Sequence, residues 1–360
     1  MKQPTLGLIG LTLVIPIAVA LSIGAGVEGS VWVLAPLVTF SLPLVAMVAF
    51  WWADWPGTRV GANWSGWADT ALVAVGAVVL TGIGQSFMGH LDLGGMFDPS
   101  PGNNHFVTFP TTMPLAGAAF IAMLELTLVG EGWPLRRLSP IPAGALAVAI
   151  SWVVALVVTV SLVRVKPVPG LSSFAKDGPV KGVDLGALLV TIGGWQVLCF
   201  VLWRGWPFSL ISRPALRLPT AHLTVIGGGL GAYAIASSLL AAESVRIAAI
   251  AGCFIASGLL TGMLLEGWFD TPARPFHRVT VFGFTVLLTA AMAAALFGVA
   301  DSRHFVGVQP DDWVEHVALN ALSSSIILHV AIGRRWPFAR RQSANWQPAQ
   351  TGPRLDSKRL

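Results

Sequence analysis

Four polar side chains stand close together in the last apolar stretch of this 360-residue chain. His316, Asn320, Ser323 and Ser324 fall within about 100° of one another at 3.6 residues per helical turn. Hydrocarbon satisfies neither an imidazole nor an amide, so such a stripe needs a partner helix, water or a solute. Two uses fit it: hydrogen bonding between helices, or a path for a small solute. Glu125 poses the same question, because it stands alone in the run Leu124-Glu125-Leu126. A carboxyl group there is protonated, paired, or turned toward a wet cavity. A proton-coupled transporter uses such a group, and so does a single interhelical hydrogen bond. Gln196, Gln85, Thr81 and His329 are its candidate neighbours.

A second chemistry is metal binding. His90, His105, His304 and His316 are expected on one side of the membrane. The segment between His90 and His105 holds Asp92 and Asp98 and has no Lys or Arg. Asp311, Asp312 and Glu315 stand beside His316. Imidazoles and carboxylates free of competing cations suit a divalent transition metal such as zinc or copper. None of these histidines has the tight spacing of a helical ligand pair. Cys199 and Cys253 lie inside apolar runs and form no CxxC pair, so neither a thiolate site nor a disulfide framework is expected. No phosphate-binding loop, nucleophile elbow or zincin helix is present, which leaves catalytic residues unassigned. Gly227-Gly228-Gly229-Leu230-Gly231 has no preceding strand, and it reads as a surface for close helix approach.

The elements that must position these groups are transmembrane helices. Only 11% of the residues are charged and 54% are hydrophobic, against about 25% charged in soluble domains. Apolar runs near 6–27, 31–53, 68–88, 109–130, 143–163, 184–204, 222–240, 246–266, 278–299 and 313–333 are each near the ~20 residues that span a bilayer. The reading is an all-α integral membrane protein of about ten transmembrane helices, arranged as five consecutive hairpins. The first run follows Lys2 and carries Ala18-Val19-Ala20; a cleaved signal peptide is the alternative to a retained helix.

A tryptophan corner closes every second run: Asp54-Trp55-Pro56, Gly132-Trp133-Pro134, Gly205-Trp206-Pro207, Gly267-Trp268-Phe269 and Arg335-Trp336-Pro337. Arginine follows each within a few residues. An interfacial Trp, a Pro stop and then positive charge describe a helix leaving the bilayer on its cytoplasmic side. With both termini inside, sixteen Lys and Arg residues fall on the corner side and six on the other. Before the corners stand Glu131, Arg204, Glu266 and Arg334, alternating in sign, and these are expected to pair between hairpins.

Residues 1–336 then form a polytopic domain of the cytoplasmic membrane, and 337–360 a basic cytoplasmic tail of disordered character. The net charge of +5 sits at helix ends and in this tail. Its expected partner is anionic inner-leaflet lipid, not nucleic acid; partner membrane proteins are compatible with the pattern. Three functions follow from these residues. The first is a small-solute transporter or permease-like protein, its path lined by Glu125, His316, Asn320, Ser323 and Ser324 and opening at the outer face. The second is a membrane-embedded enzyme with a metal held by His90, His105, His304 and His316. The third is a scaffold subunit without a site of its own.

Overall fold

The computed structural model describes residues 3–61, 64–98, 105–164, 178–266, 268 and 276–338. The basic tail from 339 onward lies outside the described residues, as does most of the loop after residue 164. Ten apolar helices are present: α1 (Thr5–Ile23), α2 (Val27–Trp51), α3 (Ser65–Met88), α4 (Met113–Val129), α5 (Pro140–Leu162), α6 (Gly182–Leu202), α7 (Pro214–Leu239), α8 (Ser244–Leu264), α9 (His277–Asp301) and α10 (Pro310–Ile332). Nine are long and apolar enough to cross a membrane, and α4 is shorter. The chain is thus an all-α protein of multi-pass membrane type. Among the described residues, the only ladder joins Val163–Arg164 to Val180–Lys181 in parallel.

The helices sort into two rings. In α2, α6, α8 and α10, 61–72% of the apolar window is buried within the protein; in α1, α3, α5, α7 and α9 the share is 11–39%. The short helix α4 belongs with the first set, burying Leu115, Ala116, Ala119 and Met123. The inner helices touch in the closed order α2, α4, α6, α8, α10 and back to α2. The outer helices present Val75, Val79, Val153, Val157, Leu223, Leu287 and other large apolar side chains outward. Such a surface is stable against hydrocarbon and not against water.

Each outer helix follows one packing rule. It lies along one inner helix, and its first turns touch the end of the inner helix before that one. So α3 lies on α2 and meets the end of α10; α5 lies on α4 and meets the end of α2. Likewise α7 lies on α6 and α9 on α8. Helix α1 takes the fifth place, lying on α10, with Gly7 against the Leu264 carbonyl at the end of α8. The packed unit is therefore an inner helix, its corner and the next outer helix, rather than the sequential hairpin.

The corners are copies of one another. Every inner helix ends in a π turn, in which N–H groups reach the carbonyl five residues back: Trp52 to Met47, Gly130 to Glu125, Trp203 to Leu198, Leu265 to Leu260 and Gly333 to Leu328. A six-residue bond follows in four of them, from Asp54 to Val48, Gly132 to Leu126, Gly205 to Cys199 and Arg335 to His329. These bonds satisfy carbonyls that a helix end leaves open. They require two consecutive left-handed residues, and Glu131/Gly132 (φ 51° and 72°) and Arg204/Gly205 (φ 51° and 84°) supply them. Glycine takes the second position without the cost a side chain bears there.

Close approach does the rest of the packing. A Cβ on Gly229 would lie 2.7 Å from the Ile192 backbone, and one on Gly228 would enter the Trp195 ring. Two of the glycines in that cluster therefore let α7 approach α6 as expected. Gly227 and Gly231 face open space.

Candidate functional site

The inner ring encloses a cavity of about 1100 Å³ along its axis. On α4 the lining runs from Met113 to Leu128 and on α6 from Gly186 to Val201, with Glu131 and Arg204 in the corners beyond. Fifteen residues at 1.5 Å each make the helical part about 23 Å deep. Most of the wall is apolar, including Leu42, Phe120, Leu189, Phe200, Leu259 and Leu319. Polar groups are few and spread along the axis: Glu315, then Thr39 and Asn320, then Ser323, Ser324, Gln196 and Thr127.

At the corner end the cavity is rimmed by charge. Arg217 Nη2 lies 2.7 Å from Glu131 Oε2, and Arg136 Nη1 lies 3.9 Å from the same oxygen. Arg204 Nη2 is 4.0 Å from Glu266 Oε1, and Arg335 Nη2 is 3.5 Å from Glu266 Oε2. Of the expected alternating belt, the Arg204–Glu266 contact forms. Glu131 pairs with Arg217 from the start of α7. Arg334 turns instead to Asp54 (2.9 Å) and Asp69 (3.1 Å). Burial lowers the Arg335 pKa from its usual value, against the opposing pull of Glu266.

Three of the five sequence-derived path residues line this cavity: Asn320, Ser323 and Ser324. Asn320 Oδ1 accepts a hydrogen bond from Thr39 Oγ1 at 2.9 Å, and Ser323 Oγ donates to the Ala318 carbonyl. His316 is not among them. Its Nε2 lies 3.0 Å from the Leu21 carbonyl of α1, and the ring is buried between the two helices. Glu315 lines the cavity in its place. The reason is backbone geometry, since His316–Ser323 is π-helical. With hydrogen bonds spanning five residues instead of four, each residue advances by less than the 100° of an α-helix. That change brings 315, 319, 320, 323 and 324 onto one face and turns 316 to its flank.

Glu125 lies one layer behind the wall. Its Oε1 accepts from Gln196 Nε2 at 2.9 Å, and its Oε2 meets Nδ1 of His222 on α7. Gln196 is the member of this group that borders the cavity. Of the four neighbours expected from sequence, Gln196 is realised. His222, on α7, carries no signal in the sequence, because it stands at the polar start of an apolar run.

The four candidate metal ligands are dispersed among different surroundings. His105 Nδ1 lies 3.0 Å from Asp92 Oδ2, and its Nε2 lies 3.6 Å from Asp98 Oδ2. His90 packs edge-on against Phe106, His304 is exposed in the α9–α10 connection, and His316 is buried as described. Among the described residues, no three His, Cys, Asp or Glu side chains gather where they could hold a metal ion. Asp92 organises its loop through backbone donors. It accepts N–H groups from Gly95 (2.8 Å) and Phe106 (2.8 Å). Chiefly the Gly95 bond, helped by Phe106 and His105, holds its carboxyl down at about pKa 2.

The cavity wall also holds polar atoms with nothing to bind. Gln196 Oε1 and Ser324 Oγ are buried and unpartnered, and so is Nε of Arg217. Glu315 makes no hydrogen bond or ion pair among the described residues. Buried atoms without partners also occur away from the lining, among them Trp152 Nε1, Ser257 Oγ and His316 Nδ1. No protein-family model, curated protein or solved structure matches the chain.

Proposed function

We propose that the chain is a transporter or permease-like protein of the cytoplasmic membrane that admits a small solute to its axial cavity. The carrying observation is the closed ring of five inner helices around a deep cavity. A scaffold has no use for such a space, and side-chain packing would ordinarily fill it. The path runs past Glu315, Asn320, Ser323 and Ser324, with Thr39 and Gln196 opposite. Glu125 and His316 support the wall from behind. The excess of Lys and Arg at the corner end favours a cytoplasmic corner side, with both termini inside and the solute path opening at the outer face. The tail 337–360 then rests against anionic inner-leaflet lipid.

The test is access to the wall. In a Cys199→Ala, Cys253→Ala background, Ser324→Cys should react with a small water-borne methanethiosulfonate at least tenfold faster than Ala119→Cys, which is buried off the cavity. Equal rates at the two positions would remove the solute path.

A further inference from the structure

We infer that the end of the cavity far from the corners binds an organic cation, a primary ammonium group carried on an apolar body. This rests on the solute-path reading and names the class of solute. Charge is unevenly matched along the axis. The lining arginines, Arg136, Arg204 and Arg217, all lie at the corner end, within 4.0 Å of Glu131 or Glu266. At the far end the lining carries Glu315 and no Lys or Arg. An ionised carboxylate in such a place is costly until it meets a cation.

The acceptors continue inward from Glu315. Asn320 lies five residues further along α10, and Ser324 lies four beyond it, level with Gln196. Asn320 Oδ1 receives one hydrogen bond, from Thr39, and keeps a second lone pair. Ser324 and Gln196 line the next stretch of the cavity, and Ser324 Oγ and Gln196 Oε1 have no hydrogen-bond partner. An ammonium group offers three N–H donors to such oxygens. A bare metal ion instead requires several ligands converging on one point, and the described side chains form no such group. Leu42, Phe120, Leu189 and Leu319 give the attached hydrocarbon its surface, and the volume suits a small organic molecule.

The experiment uses the full chain in detergent, with n-hexylammonium as probe and hexanoate and 1-hexanol as controls. Hexylammonium should bind by calorimetry and slow the modification of Ser324→Cys at least fivefold, while hexanoate does neither. Glu315→Gln should weaken hexylammonium at least tenfold. Glu315→Asp, which keeps the charge, should stay within about threefold and shows that the site tolerates substitution. Hexanoate protecting as well as the amine, or Glu315→Gln leaving protection unchanged, overturns the assignment. If Ser324→Cys reacts readily but hexylammonium neither binds nor protects, the cation assignment alone fails. If Ser324→Cys does not react and hexylammonium does not bind, the solute path fails with it.

Discussion

Arg334→Met should cost about 3 kcal/mol of stability, because Arg334 fastens the last inner helix to the first. Its Nε reaches Asp54 Oδ2 at 2.9 Å, its Nη2 reaches Asp69 Oδ2 at 3.1 Å, and its Nη1 donates to Ser65 Oγ. The Asp69 side chain is fully buried, while Arg334 and Asp54 keep about a quarter of their exposure. Removing one partner of a buried pair typically costs 3–5 kcal/mol, since the other charge is stranded. Partial exposure of the arginine places this case at the low end. Asp69 would retain only the Gly57 N–H at 2.7 Å. Burial already pushes the Asp54 carboxyl up against the pull of Arg334, and losing the arginine would raise it further. Asp69→Asn keeps a side chain that still accepts from Gly57, so it should cost about 1–2 kcal/mol. The double variant should fall short of the sum by at least about 1.5 kcal/mol. The assay is reversible unfolding of the purified protein in mixed micelles, followed by helical circular dichroism. A loss below about 1 kcal/mol for Arg334→Met, or strict additivity in the double variant, would refute the argument.

Gly229→Ala should destabilise by about 1–3 kcal/mol through contact with the Ile192 backbone, whereas Gly227→Ala should change stability by less than about 1 kcal/mol in the same unfolding assay. The Asp92 loop should loosen in acid. Its folded carboxyl titrates near 2 against the usual 3.8, so its contribution is intact above about pH 4 and lost as pH falls toward 2. Loss of Gly95 and Phe106 amide protection over that range, and in Asp92→Asn at neutral pH, checks this at about 1–2 kcal/mol. Glu125→Leu should cost about 1–3 kcal/mol by stranding Gln196 and His222. It should leave the modification rate of Ser324→Cys within about threefold, and a tenfold change would return Glu125 to the path.

The helices and corners were legible because they rest on composition: apolar length, Trp, Pro and arginine at fixed places. The ring order was not. Helix α5 faces outward and α6 inward, yet both are strongly apolar, with hydropathies of 2.5 and 2.0. Hydrocarbon and protein interior ask for the same side chains, so periodicity carries no signal for which helix is central. The polar stripe on α10 was legible to within one residue. A uniform 100° step places His316 on it and Glu315 off it; the π turn over 316–323 reverses the two. No residue type in that segment announces a π turn, whose single extra residue is decided by packing. The partner of Glu125 was half legible, because Gln196 is conspicuous inside an apolar span and His222 is not.

The polarity of α10 has two separable origins, and the ring closure explains the second. In the first four units an inner helix and its outer helix are joined covalently through a corner. In the fifth, the outer place is filled by α1, whose sequence lies three hundred residues from α10, so side chains must hold it. His316 meets the Leu21 carbonyl, His329 packs against Gly10, and Gln3 Nε2 donates to the Leu264 carbonyl that lies against Gly7. Arg335 Nη1 donates to that same carbonyl at 2.8 Å, which ties the last corner to the end of α8. The two histidine contacts join α1 to α10 directly, and Gln3 and Arg335 meet on the Leu264 carbonyl at the end of α8. Glu315, Asn320, Ser323 and Ser324 face the other way, into the cavity. One helix therefore serves as both latch and lining. A latch substitution such as His329→Leu should disturb the seating of α1, while a lining substitution such as Glu315→Gln should change what the cavity holds and leave α1 in place.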